Sequence, residues 1–424
     1  MKHKILSILL SVIIISSFSS NVLAAANEPN IVGTSAISIN AKTGEVIYSK
    51  NPDSKIFPAS TTKLLTSIIL NQYKKPSDYM YYSVSAKEQP ESSFDKNIHA
   101  LNVGERLSAD DVLKSLLMYS ANDMAYVIAS NIINKNNAPA VDVRNAFSVI
   151  MNNEVKKLGL KNTHFVTPNG LHDPDHYSTA YDMSRIAKAA FSINWIQKTI
   201  STQKTTITLD NGTKCEIKNT NKIIDPKEPV YDKTCIGGKT GFTNEAGRCL
   251  ITIFNRNGEK IIGVVMKSVY DKDDLQVFKD MDNVINYSYN IKPTILYKEN
   301  QVYSYETVHY KLFKYFGPEK TIKVPLILKD NVTYYKNSFN DSEKKLIKKV
   351  SLNEWNLNKD TSVGTLTLKE RDMKKSYNLY PSISSNDILS DNKSVYIGTF
   401  VCIVLIIGLA VFGCIKFFRR KDRW

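Results

Sequence analysis

The segment Val395 to Ile415 contains no charged residue. At 1.5 Å per residue, about 20 apolar residues in a helix cross the ~30 Å hydrocarbon core of a bilayer. Lys416, Arg419, Arg420, Lys421 and Arg423 follow it, and cations in that position stay on the cytoplasmic side. The other end reads Met1-Lys2-His3-Lys4, then an apolar run from Ile5 to Phe18, then Val22-Leu23-Ala24-Ala25-Ala26. A basic start, an apolar stretch and a small-residue cleavage site come in the order a secretory signal requires. Residues 1–26 are therefore expected to be a signal peptide, 395–415 a transmembrane helix and 416–424 a basic cytoplasmic tail. This arrangement predicts a single-pass membrane protein with almost all of its mature chain outside the cytoplasm.

The 424 residues allow two or three domains. With 42% hydrophobic and 23% charged residues, the composition excludes wholesale disorder, collagen-like repeats and a polytopic membrane protein. Lys plus Arg exceed Asp plus Glu by 56 to 41, a net charge of +15, which suggests an anionic partner. Export removes nucleic acid from the choices. Anionic lipid, an acidic polymer, or plain solubility of a lysine-rich surface remain. Cys402 and Cys414 fall in the membrane segment, which leaves Cys215, Cys235 and Cys249 outside it. That odd number leaves at least one thiol free unless it pairs between chains. There is no Cys-x-x-Cys or His-Glu-x-x-His, and only 6 histidines occur, so neither a metal nor a cofactor is expected.

Residues 31–290 mix helical and strand periodicities. Ala36 to Ile39 and Val46 to Tyr48 flank Asn40-Ala41-Lys42-Thr43-Gly44-Glu45 and read as a β-hairpin. Helices are predicted over 61–73, 108–117, 123–133 and 183–191. Ser108 and Thr179 serve as caps for two of them. Strands are predicted over 250–254 and 260–266, around the turn Asn255 to Gly258. The class is α/β (α+β). From 297 to 380 the pattern changes to short alternating runs with polar turns, which predicts a small β-rich domain. Residues 381–393 are rich in Ser, Asn and Asp and read as a linker.

Ser60-Thr61-Thr62-Lys63 is an S-x-x-K. At positions i and i+3 of a helix the two side chains share one face. A hydroxyl nucleophile needs a base, and a neutral amine can serve. Pro58 upstream fits a helix start, which places Ser60 at the positive end of the helix dipole. Alone the pattern is weak, since it recurs at Ser93–Lys96, Ser201–Lys204 and Ser342–Lys345. Lys-Thr-Gly occurs twice. Lys42-Thr43-Gly44 lies in the predicted hairpin turn, whereas Lys239-Thr240-Gly241-Phe242 begins a strand and follows Gly237-Gly238. Ser120-Ala121-Asn122 sits between two predicted helices.

Taken in this order, the motifs resemble those of the low-molecular-mass penicillin-binding proteins, the D-alanyl-D-alanine carboxypeptidases of the β-lactamase/transpeptidase-like superfamily. The likeness extends through Val46 to Asn51, Pro168 to Pro174 and His176 to Met183, and covers roughly residues 31 to 380. It implies a serine D,D-peptidase domain with an antiparallel sheet flanked by helices, then the small accessory domain. It further implies removal of the terminal D-Ala from peptidoglycan stem pentapeptides at a bacterial cell membrane, with β-lactams as inhibitors. By resemblance, Ser60 would be acylated, Lys63 would be the general base and Ser120 would relay the proton. Asn122, Lys239, Thr240, Gly241 and Phe242 would bind substrate, with the N–H groups of Ser60 and Phe242 forming the oxyanion hole. An unperturbed lysine titrates near 10.4, so keeping Lys63 neutral at pH 7 costs about 4.6 kcal/mol. Burial and the ammonium of Lys239 can supply this.

Two features depart from the family pattern. Some members carry an arginine beyond the strand after Lys-Thr-Gly, whereas Lys267 to Asp274 offers only Lys267 and Lys272. Many relatives attach through an amphipathic helix, whereas this chain has an uninterrupted apolar span. Other readings of the same fold are a D,D-endopeptidase or a β-lactamase. For the β-lactamase, Glu154-Val155-Lys156-Lys157-Leu158 breaks the Glu-x-x-Leu-Asn spacing that a deacylating glutamate needs. A non-catalytic wall-binding scaffold would have no need of a base beside a serine. His164, His172 and His176 suggest a triad, but Lys63 already supplies the base.

Overall fold

The computed structural model describes residues 28–90 and 92–421. The expected signal peptide and the last three residues of the basic tail lie outside them. Two strands open the described chain, β1 (Ser35–Asn40) and β2 (Val46–Lys50). They are joined by a turn in which the Gly44 N–H donates to Asn40 O at 2.7 Å. Gly44 has φ +80°, a backbone conformation glycine reaches without strain, so this Lys-Thr-Gly copy is a turn. The chain divides into two units, Met1–Ala36 with Asp53–Ile291, and Ile37–Pro52 with Lys292–Trp424.

In the first unit a short 3-10 turn (Ala59–Thr62) leads into α1 (Lys63–Tyr73). Then come α2 (Ala109–Lys114), a π-type turn (Ser115–Tyr119), α3 (Asn122–Ile132), α4 (Ala140–Lys157) and α5 (Ala180–Phe191). Ser108 Oγ caps α2 by accepting from Asp111 N at 3.0 Å, and Thr179 Oγ1 caps α5 by accepting from Asp182 N at 3.1 Å. Such caps satisfy N–H groups that a helix start leaves unpaired. Strands β3 (Cys235–Thr243), β4 (Gly247–Arg256) and β5 (Glu259–Ser268) form an antiparallel run, with β3 at the sheet's edge. Helix α6 (Gln276–Asn290) buries Val277, Phe278, Met281, Val284 and Ile285, which recur at helical spacing along one face. Both α5 and α6 pack on β5. Residues 249–254 and 261–266 are buried without interruption, as expected for strands covered on both faces. The continuous apolar runs that marked these strands in the sequence follow from this cover.

The second unit contains a sheet of β6 (Val302–Lys311), β7 (Glu319–Leu328), β8 (Lys344–Val350), β9 (Gly364–Glu370) and β10 (Met373–Pro381), in the order β6-β7-β10-β9-β8. Val324, Leu326, Leu328, Leu366, Leu368 and Leu379 fill its core. They alternate with more exposed residues along their strands, as in a sheet with one buried face. The β1–β2 hairpin joins this unit through Asn340 Nδ2, which donates to Val46 O at 2.7 Å, and through a Glu45–Lys375 ion pair. The segment read as a linker holds a helix, α7 (Ser385–Asp391). The last element is α8 (Lys393–Lys421), whose stretch Lys393–Phe418 is long and apolar enough to cross a membrane.

Candidate active site

Ser60 lies in the 3-10 turn ahead of α1, and Lys63 is the first residue of that helix. Two close approaches fix the turn. A Cβ added to Gly170, which has φ +80°, would lie 2.0 Å from Ala59 O. One added to Gly241 would lie 3.1 Å from Pro58 O, Ser60 N and Thr61 N. Glycine at 241 therefore lets β3 press its backbone against the serine. Ala59 itself has φ +48°, a conformation a non-glycine residue holds only when its surroundings enforce it.

Lys63 is fully buried. Its Nζ lies 2.7 Å from Ser60 Oγ, 2.9 Å from Asn122 Oδ1 and 2.7 Å from Asn169 O. A neutral amine has two N–H donors and one lone pair. The two oxygens without hydrogens take the donors, and the lone pair is left for the serine proton. Burial, and after it the charge of Lys239, holds this amine well below the ordinary lysine range, while Asp123 opposes them. Asp123 is itself buried and accepts from Phe94 N at 2.9 Å, Asp95 N at 2.9 Å and Tyr82 OH at 3.1 Å. It fastens the segment at 94–95 to the start of α3, the same helix start that carries Asn122.

Ser120 follows the π-type turn with φ +72°. It accepts a hydrogen bond of 2.9 Å from Lys239 Nζ, which also donates to Thr240 O at 2.9 Å. Lys239 is fully buried, and burial, aided by the Arg248 charge, pulls its pKa down to about 7. Thr240 Oγ1 lies 2.6 Å from Thr220 Oγ1. The structure therefore brings Ser60, Lys63 and Asn122 together by direct hydrogen bonds, and Ser120 with Lys239 by another. A cavity of about 750 Å³ is lined by Ser60, Ser120, Asn122, Thr240, Gly241 and Phe242, a size suited to a small ligand.

The histidines stay apart from the serine. His176 is buried, with Nε2 2.8 Å from Thr62 Oγ1 and Nδ1 accepting from Val166 N at 3.0 Å and Thr167 N at 3.2 Å. Burial, together with His164, His172 and Lys63, lowers its pKa to about 3. His172 packs edge-on against Phe57. None of the three is bonded to Ser60. The sequence reading also missed a cation. Arg248 on β4 lines the cavity, sits opposite Phe242 in the β3–β4 register and chelates Asp274. Its guanidinium lies 5.0 Å from the Phe242 ring centroid and 4.7 Å from that of Tyr270. The stretch Lys267 to Asp274 thus supplies the carboxylate that holds an arginine rather than the arginine itself. Arg248 carried no motif signal, because its position depends on strand register.

Residues 22–269 match the family model for D-alanyl-D-alanine carboxypeptidase, peptidase family S11. The chain belongs to this family. The carboxypeptidase is 31% identical over 338 residues to D-alanyl-D-alanine carboxypeptidase DacF of Bacillus subtilis, covering 79% of this chain and 81% of that one. It is 30% identical over 272 residues to a D-alanyl-D-alanine endopeptidase of Pseudomonas aeruginosa, covering 62% and 82%. Among solved structures, the Streptomyces K15 DD-transpeptidase shares its fold, with a TM-score of 0.54, 24% identity, and coverage of 63% of this chain and 100% of that one. The protein is a serine-type D-Ala-D-Ala carboxypeptidase of a family that acts on peptidoglycan peptides and binds β-lactams.

Proposed function

We propose that this carboxypeptidase works through an acyl-enzyme on Ser60 and is held at the bacterial cell membrane by α8, with both of its folded units outside the cytoplasm. The observation that carries the mechanism is the buried Lys63 amine, whose two donors are occupied by Asn122 and Asn169 while Ser60 Oγ lies 2.7 Å away. Lys63 takes the serine proton as Oγ attacks the carbonyl of the D-Ala–D-Ala bond. The C–O bond forms, the C–N bond breaks, and Ser120 passes a proton to the leaving amine. The backbone N–H groups of Ser60 and Phe242 hold the oxyanion. Thr240, Lys239 and Arg248 receive the terminal carboxylate, and Asn122 orients both Lys63 and the peptide. Water then releases the shortened stem peptide. A β-lactam enters by the same attack and leaves slowly.

A fluorescent penicillin applied to the purified protein and to Ser60→Ala, beside an assay of D-Ala release from a stem-peptide mimic, tests this reading. Stable labelling with D-Ala release, both lost in Ser60→Ala, is the expected result. Labelling that persists in Ser60→Ala would place the nucleophile elsewhere. Rapid turnover of the drug would favour a β-lactamase, and absence of labelling in the wild type would favour a scaffold. Protease protection of the two folded units in intact cells tests the topology.

A further inference from the structure

The loop between β6 and β7 carries the most exposed aromatic pair among the described residues of the second unit outside α8. Tyr315 is 77% exposed and Phe316 67%. They are not held out by a loose turn. Phe313 N donates to Phe316 O at 3.1 Å, Leu312 N to Pro318 O at 3.1 Å and Lys314 N to Lys311 O at 2.9 Å. Phe313 stacks on Phe316 with ring centroids 5.2 Å apart. At Gly317, with φ +95°, an added Cβ would lie 2.7 Å from the Phe313 ring. The loop therefore presents two aromatic rings to solvent on a fixed backbone, an arrangement that costs solubility unless something covers them.

The same loop is tied to the start of α8. Tyr396 OH donates to Leu312 O at 2.7 Å, and the Tyr396 ring meets Phe313 edge-on at 5.7 Å. One turn earlier, Asn392 is buried, donating to Tyr310 OH at 3.0 Å and accepting from Lys320 Nζ at 2.6 Å. Tyr396 stands at the first turn of the uncharged run, where a spanning helix enters the headgroup layer and where tyrosine and tryptophan concentrate. The exposed tip is tied to that level through Phe313, whose ring meets Tyr396 on one side and stacks on Phe316 on the other. Lys311 and Lys314, both exposed, add positive charge beside the tip, and exposed lysines at this depth meet anionic headgroups.

We propose that the loop Phe313–Gly317 is a second membrane contact, with Tyr315 and Phe316 seated at the boundary between headgroups and acyl chains and Lys311 and Lys314 facing lipid phosphates. The proposal rests on α8 being the membrane anchor. With both contacts made, the second unit is held against the bilayer instead of swinging on a single helix.

The test uses the full chain reconstituted in phosphatidylcholine–phosphatidylglycerol vesicles, with Phe316→Trp, or Tyr315→Trp as a second reporter, measured as the difference from the parent protein. The expected result is a blue-shifted emission from the introduced indole, at least twofold quenching by lipids brominated near the top of the acyl chain, and weak quenching by acrylamide. Ile347→Trp, on β8 at the far edge of the sheet, should show the opposite pattern. Lys311→Glu combined with Lys314→Glu should reduce the lipid quenching. Protein that floats with the vesicles while both loop reporters stay open to acrylamide and untouched by brominated lipid would overturn the inference alone, leaving a protein partner as the occupant of the loop. Protein that fails to float would overturn the anchor and the loop contact together.

Discussion

Replacing Lys239 with methionine removes an amine that the fold buries completely and keeps a side chain of similar reach. The folded protein holds this amine at a pKa of about 7, against 10.5 for an ordinary lysine. At and below pH 7 that difference corresponds to about 5 kcal/mol of stability lost to burying the charge. Methionine recovers it but gives up the hydrogen bonds to Ser120 Oγ and Thr240 O, worth ~1 kcal/mol each. Lys239→Met should therefore be more stable than wild type by about 3 kcal/mol at pH 6–7. Between pH 7 and 10.5 only the unfolded chain keeps the proton, so wild-type stability climbs with pH and the advantage shrinks. The two stability curves should cross near pH ~9, beyond which methionine is the worse residue. Denaturant unfolding of the purified proteins at several pH values, following the transition of the catalytic unit, measures this. D-Ala release should fall by about two orders of magnitude as the variant gains stability, since a buried charged contact to substrate is lost. A variant less stable than wild type at pH 6, or a stability gap independent of pH, would refute the claim that Lys239 is held as a strained, half-titrated amine.

Three further outcomes follow from the same geometry. Gly170→Ala should leave little folded, penicillin-reactive protein, because its Cβ would overlap Ala59 O; soluble yield and labelling report it. His176 is buried with a pKa near 3 instead of 6.5, so below pH 6.5 the unfolded chain takes up a proton that the folded one refuses. Each pH unit down to about 3 should then cost ~1.4 kcal/mol, a slope that His176→Asn should lack in acid-unfolding titrations. Arg248→Met should raise KM for a peptide acid at least about tenfold, as for loss of one charged contact. Turnover of the matching C-terminal amide should barely change.

Much of this arrangement was legible in the sequence, for physical reasons that can be named. The Ser60–Lys63 spacing works because both lie on one turn, and Lys239 stood out because Gly237-Gly238 precede it, it begins a strand, and it follows the serine motifs in order. Caps at Ser108 and Thr179 gave two helix starts. What escaped the sequence depends on distant pairings. Arg248 reaches the cavity through strand register and through Asp274, neither of which has a local signature. The Ser60 turn packs closely against Gly170 and Gly241, more than a hundred residues downstream. The helix Ser385–Asp391 was hidden by composition. Its Ser384 N–H donates to Asp387 Oδ2 at 2.7 Å, a capping arrangement within a stretch whose Ser, Asn and Asp content reads as loop. Helix α6, by contrast, has a readable apolar face that the sequence reading passed over.

Strand β3 ends the sheet, with a neighbour on one side only. A free strand margin pairs with whatever extended chain is laid along it, because main-chain groups are alike in every residue. Such a margin is indifferent to most of a guest's side chains, and the glycines at 237, 238 and 241 add few distinguishing surfaces of their own. Under the proposed mechanism, discrimination then falls to the guest's last atoms, the carboxylate assigned there to Lys239 and Arg248. Amidating that terminus, more than altering the residues before it, is the change that should shield a wall peptide from this protein.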